Sequence, residues 1–215
     1  MPPPETHGFA FHIGALQSGI DKALGFSNSK HLSLGLTLYT GGTLSGSQSL
    51  LRKLSTVDTT VALPDLTVKL PFGVSAGLAY QNNGIVYTGD VNMQQWSDFT
   101  MGGTHPSEIQ NSLRAGVGVE WMPGKEFIET YWQQVAIRLG GYARQTNVQL
   151  NGTSVNEYFA TAGLGLPMGN EARLNIGLEY GVRGTTSAML VKNNILRLTL
   201  SVSAGDIWFL QSEIE

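Results

Sequence analysis

Ten side chains of this chain carry charge or a phenol where chemistry could be done: Asp90, Arg114, Glu120, Arg138, Tyr142, Arg144, Arg173, Glu179, Arg183 and Arg197. Carboxylates and guanidiniums on neighbouring strands can pair and brace a water-filled interior. Lining a lumen, the same groups are candidate contacts for a passing solute. No catalytic set accompanies them. The four histidines, His7, His12, His31 and His105, are scattered, with no His-x-His or His-Glu-x-x-His spacing, so no metal site is expected. The run from Gly118 to Gly124-Lys125 has the wrong spacing for a phosphate loop, and Glu126 stands where Ser or Thr is required. No Gly-x-Ser-x-Gly elbow occurs. Asn151-Gly152-Thr153 is a glycosylation sequon that reads as a turn. Gly163 and Gly165 leave room for a ligand to approach the backbone or for crowding inside a barrel. The expectation is a protein that is not an enzyme, with no cofactor and no metal.

The elements that must position these ten residues are strands. From Arg173 to Arg183 every even position is apolar and every odd position is charged, polar or glycine. Successive side chains of a strand point to opposite faces, so this segment has one apolar and one wet face. Leu196–Ala204 and Leu113–Trp121 repeat the pattern. We expect Leu174, Ile176, Leu178 and Tyr180 to face lipid, with Arg173, Asn175, Glu179 and Arg183 facing a lumen. The same parity puts Leu196, Leu198 and Leu200 outside and Arg197, Thr199 and Ser201 inside. Nine spans read this way: Phe9–Leu16, Leu32–Tyr39, a long Thr59–Tyr80 interrupted by Pro64 and Pro71, Ile85–Trp96, Ser112–Trp121, Val135–Gln145, Glu157–Leu166, Ala172–Arg183 and Ile195–Phe209. The prolines predict a bulge or an exposed edge in the third. Gln81-Asn82-Asn83-Gly84 and Pro167–Glu171 read as short turns, with longer polar loops near 97–111, 146–155 and 184–194. The 122–134 connection is long for a turn. Aromatics near strand ends, Tyr80, Trp96, Trp121, Tyr180, Trp208 and Phe209, suggest the girdles that anchor a barrel at the lipid–water boundaries.

Composition agrees with an antiparallel transmembrane β-barrel. Charged residues are 13% of the chain, about half the ~25% usual in soluble domains. A soluble barrel or sandwich would carry more exterior charge. No run approaches the ~18 apolar residues of a membrane helix. A net charge of −3 without a basic patch speaks against nucleic acid as a partner. Cysteine is absent, which excludes disulfides and thiolate zinc sites. The start, Met1-Pro2-Pro3-Pro4-Glu5-Thr6, has no basic region and no apolar stretch and does not read as a secretory signal.

Several segments in order resemble a known family: Gly8–Leu16 followed by Leu32–Thr37, Leu63-Pro64-Asp65 leading into Gly77–Tyr80, and Gln95–Phe99. Further on come Asn151-Gly152 through Asn156-Glu157-Tyr158, Gly163–Pro167, Gly177–Thr186 and Leu196–Ser201 through Trp208-Phe209. Together they resemble the C-terminal part of the FadL-type outer-membrane transport family, in its Bacteroidetes and Chlorobi branch. The resemblance implies a 14-stranded barrel plugged by an N-terminal hatch and carrying hydrophobic small molecules such as long-chain fatty acids. It also implies residence in the bacterial outer membrane, with the lipid bilayer and the barrel-assembly machinery as partners. The alternative is a non-transporting barrel that docks partner proteins, as relatives in type IX secretion do. The expected organisation is a disordered lead over 1–7, about nine strands of a larger barrel over 8–210, and a tail over 211–215. The hatch has no counterpart here, so no hatch residue is carried over.

Overall fold

The structure, a computed structural model, describes residues 6–23, 25, 31–53, 58–124, 130–169, 172–187 and 190–205. Its strands are β1 (Thr6–Gly8), β2 (His12–Ser18), β3 (Leu32–Tyr39), β4 (Thr43–Lys53), β5 (Asp58–Lys69), β6 (Gly73–Asn82) and β7 (Ile85–Gln94). They continue as β8 (Thr100–Met101), β9 (Ser112–Trp121), β10 (Ala136–Leu150), β11 (Thr153–Met168), β12 (Ala172–Arg183) and β13 (Asn193–Ala204). One short helix, α1 (Ile20–Ala23), joins the second strand to the third. No helix among the described residues is long and apolar enough to cross a membrane.

Nine strands form one antiparallel sheet in the order β13-β12-β11-β10-β9-β7-β6-β3-β2. The other four form a small sheet, β1-β4-β5-β8. The expected all-β antiparallel architecture is present, but the described strands do not close into a barrel. β2 and β13 are the two edges of the large sheet. The two-residue side-chain period, read across the registers, gives that sheet two distinct faces. One row runs Leu34, Leu78, Gly89, Val117, Gly141, Ala160, Tyr180, Leu196. The next row on the opposite face runs Gly35, Gly77, Asp90, Gly116, Tyr142, Phe159, Gly181, Ile195.

Two hairpins close through Asn-Gly. Asn82 pairs with Ile85 across Asn83-Gly84, and Leu150 pairs with Thr153 across Asn151-Gly152. All four turn residues have positive φ, 45° and 80° in the first turn and 51° and 71° in the second. This left-handed pair matches the twist of the flanking strands, and Asn and Gly enter it at least cost. The long loop expected over 146–155 is therefore a continuation of the hairpin. Its irregularity is a register shift between Gln145 and Gln149. Gly84 is doubly constrained, because an added Cβ would lie 2.6 Å from the Met122 carbonyl oxygen. We expect Gly84→Val to destabilise the sheet by about 2 kcal/mol or more, through backbone strain and that clash. Urea or guanidinium titration of the folded protein reads this as a lowered midpoint.

The third expected span is two strands in two sheets. β5 leaves for the small sheet and β6 belongs to the large one, with Pro71 in the break between them. Pro64 lies where β5 has two residues, Pro64 and Asp65, against Ser47 alone of β4, so the bulge expected at that proline is there. β4 went unanticipated; its Gly/Ser-rich segment lacks clear alternation. Thr6 and His7, expected in the lead, begin β1, while residues 1–5, 206–210 and 211–215 lie outside the described residues. The expected girdle positions Trp208 and Phe209 fall there too.

Antiparallel pairing throughout fixes which connections share an end of the sheet. Those over 19–31, 83–84, 122–135 and 169–171 share one end. Those over 40–72, 95–111, 151–152 and 184–192 share the other. All four strands of the small sheet branch from this second end, so the small sheet collects there.

Candidate polar-face network

All ten candidate residues stand on the same face of the large sheet, and most of them touch. Arg114 of β9 pairs with Asp90 of β7 at 2.5 Å, and its guanidinium sits 4.7 Å over the Tyr142 ring of β10. Tyr142 stacks on Phe159 of β11, with centroids 5.1 Å apart, and its hydroxyl donates to a Glu179 carboxylate oxygen of β12. The other Glu179 oxygen takes Arg197 of β13 at 2.5 Å. Side chains thus link the six strands of the large sheet from β7 to β13 in an unbroken line. A second line runs from Glu120 through Arg138, 2.5 Å apart, to Asn175 at 2.8 Å and on to Ser203 at 3.3 Å. In a third, Glu157 lies between Arg144 at 3.8 Å and Arg183 at 3.2 Å, directly opposite both in register. Arg173 rests against the Met122 sulfur at 3.4 Å.

Two of these links, Tyr142 to Glu179 and Arg138 to Asn175, pass over β11. Side chains on alternate strands meet in this way on the concave side of a curled sheet. Small residues clear the path. A Cβ on Gly165 would lie 3.1 Å from Arg173 Cδ and 3.3 Å from an Arg138 nitrogen, and one on Gly163 would lie 3.5 Å from Arg138 Cβ. One on Gly181 would lie 2.5 Å from the Phe159 ring, and one on Gly116 would lie 2.9 Å from Asp90 Oδ1. The room at Gly163 and Gly165 is taken by the chain's own arginines.

Glu157, Asn175 and Phe159 are the central members that the candidate set omitted. Glu157 opens its expected span, and its position between two arginines is set by pairing. Phe159 is an apolar residue on the wet face, one of only three buried apolar residues among those described, with Val135 and Ala136. Its parity against Tyr142 could have drawn notice. The Glu157 side chain is only 10% exposed, against 45% and 50% for its arginines. Glu157→Gln leaves two adjacent cations uncompensated. It should cost about 1 kcal/mol, a value held down by the exposure of the arginines. Adding Arg183→Met should restore part of this in a double-mutant cycle of unfolding free energies.

Five of the six candidate arginines engage carboxylates of the same face: Arg114, Arg138, Arg144, Arg183 and Arg197. The geometry is that of a bracing network. Exposed single pairs contribute little, about 0.2–1 kcal/mol each. Linked across six strands, they hold pairing register and curvature.

No curated protein matches the chain. The resemblance to FadL-type transport proteins does not stand, because the family model that matches is a different one and covers nearly the whole chain. The fourteen-stranded hatch-and-barrel plan loses its basis with it. So does the transport of fatty acids or other hydrophobic solutes. Docking in type IX secretion is likewise unsupported. The matching model is that of BamG, over residues 5–215; the chain belongs to the BamG family, named for the barrel-assembly machinery and so tied to the outer membrane.

Proposed function

We propose that this chain is a non-enzymatic accessory component of the barrel-assembly machinery. Its large sheet lies in the outer membrane, with the apolar face toward lipid and the polar network turned inward. The observation that carries the reading is the BamG match over residues 5–215, joined to the exposed apolar face. Among the described residues no large side chain is fully buried. Val117, Leu139, Leu178 and Leu198 are exposed on one continuous face. Left in water, each forgoes about 1.5–3 kcal/mol of burial, and a patch of this extent is not a soluble surface. β6, β7 and β9 each have 10 residues, within the roughly 9–11 of a tilted membrane-crossing strand. Tyr80, Tyr87 and Trp121 gather on the apolar face near the 83–84 turn, with Tyr158 and Tyr180 toward the other ends of their strands. Such belts suit the lipid–water boundary. The end bearing the small sheet has the longer connections and is assigned to the cell exterior.

The test uses an affinity-tagged chain in cells that make it. It should co-purify in mild detergent with the central barrel of the assembly machinery, and depleting it should lower the folded amounts of other outer-membrane barrels. Recovery without any machinery subunit, together with unchanged barrel levels on depletion, would overturn the reading. Protease added to intact cells should cut within 184–192 and spare 169–171; the reverse pattern would invert the assignment of the two ends.

A further inference from the structure

The two edges of the large sheet run the same way. Eight successive antiparallel pairings separate β2 from β13, so the first and ninth strands are parallel to each other. They cannot pair with one another in an antiparallel wall. Among the described residues, nothing pairs with the outer side of β13. It is a 12-residue strand without proline, and its one charge, Arg197, is held by Glu179 on the polar face. Its apolar residues are well exposed: Leu196 is 69% exposed, against 54% for Tyr180 beside it on β12. Soluble edge strands are guarded by charges, prolines or bulges, and β13 lacks such a guard. In lipid its outward N–H and C=O groups need partners.

We infer that β13 is a strand-addition interface for an antiparallel, amphipathic strand supplied by a different transmembrane β-barrel protein. This rests on the membrane placement proposed above. Strand direction selects the occupant. All copies of this chain enter the membrane in one orientation, so both edges of a second copy run parallel to β13. An antiparallel β13–β13 pair would require one copy to be inverted across the bilayer. The added strand runs opposite to β13 and continues both faces, with apolar side chains beside Leu196, Leu198, Leu200 and Val202 and small or polar ones beside Thr199, Ser201 and Ser203.

The experiment replaces Leu196, Leu198 and Leu200, one at a time, by a benzophenone amino acid in cells that make the protein, with Leu36 in the sheet interior as comparison. Adducts are mapped by mass spectrometry. The expected result is a cross-link from each β13 position to one strand of another outer-membrane barrel. The contact should move two residues toward that strand's N-terminus for each two-residue step of the probe toward the C-terminus of β13. Leu36 should yield lipid adducts alone. In the unsubstituted protein, the β13 amides that point away from β12 should exchange slowly in native membranes and quickly after detergent purification. Four outcomes would overturn the inference: lipid adducts alone at all three β13 positions, adducts to the same chain or to a second copy, contacts that step in the parallel sense, or fast exchange in both states. Co-purification with the machinery without β13 adducts sinks this inference alone. Antiparallel adducts to a barrel outside the machinery sink the machinery assignment and leave the interface.

Discussion

Leu178→Arg should markedly lower the stability and yield of the folded protein, whereas Thr199→Arg, one strand away, should leave both largely intact. Leu178 lies mid-strand on β12, flanked by Ala162 and Leu198, and is exposed on the apolar face. On the proposed placement an arginine there costs about 2–4 kcal/mol near the bilayer midplane. That is a large part of the roughly 5–15 kcal/mol by which a folded domain is stable. Thr199 stands on the other face, opposite Gly177, where a guanidinium meets the polar network. The readout is the heat-modifiable folded fraction in isolated outer membranes, checked by denaturant titration in detergent. Equal loss in both variants would show that the two faces do not differ in their surroundings.

Gly181→Leu should be comparably damaging, for a reason internal to the sheet. The space a Cβ would need at Gly181 is taken by Phe159, whose ring lies 2.5 Å from it, and by the Tyr158 carbonyl oxygen at 2.2 Å. The backbone oxygen cannot swing away as a side chain would, so the β11–β12 ladder must open locally. Displacing Phe159 also removes the surface on which Tyr142 stacks, and with it the route from Arg114 to Glu179. Overpacking costs about 1–3 kcal/mol where neighbours can relax; loss of the stacked pair and the Tyr142 link brings the expected total to about 3 kcal/mol or more. Gly181→Leu combined with Phe159→Ala should recover part of it, since the ring is one of the two obstacles. Failure of the double variant to exceed the single would place the whole cost on the backbone contact.

The side-chain period of a strand is a local property, and so the two faces were legible in the residues themselves. Leu174, Ile176 and Leu178 fall on one face and Arg173, Asn175 and Glu179 on the other because each follows from its neighbour by a fixed alternation. Asn83-Gly84 marked its turn because a pair of positive-φ residues excludes most other side chains. Pairing is different, because it depends on segments far apart in sequence. Nothing in residues 59–80 by themselves says that the first half joins β4 and β8 while the second joins β3 and β7; that follows from which edges are available. Resemblances between short alternating motifs are weak for the same reason, since any amphipathic sheet repeats them, and the FadL likeness failed there. The alternation placed Tyr142 and Glu179 on the wet face, but only the registers of β10, β11 and β12, together with the curl of the sheet, bring the phenol to the carboxylate. The sequence by itself determined the faces, the strand-rich character and the tight turns. The tertiary structure decided the division into two sheets, the six-strand bracing line and the parallel edges, all of them consequences of long-range pairing.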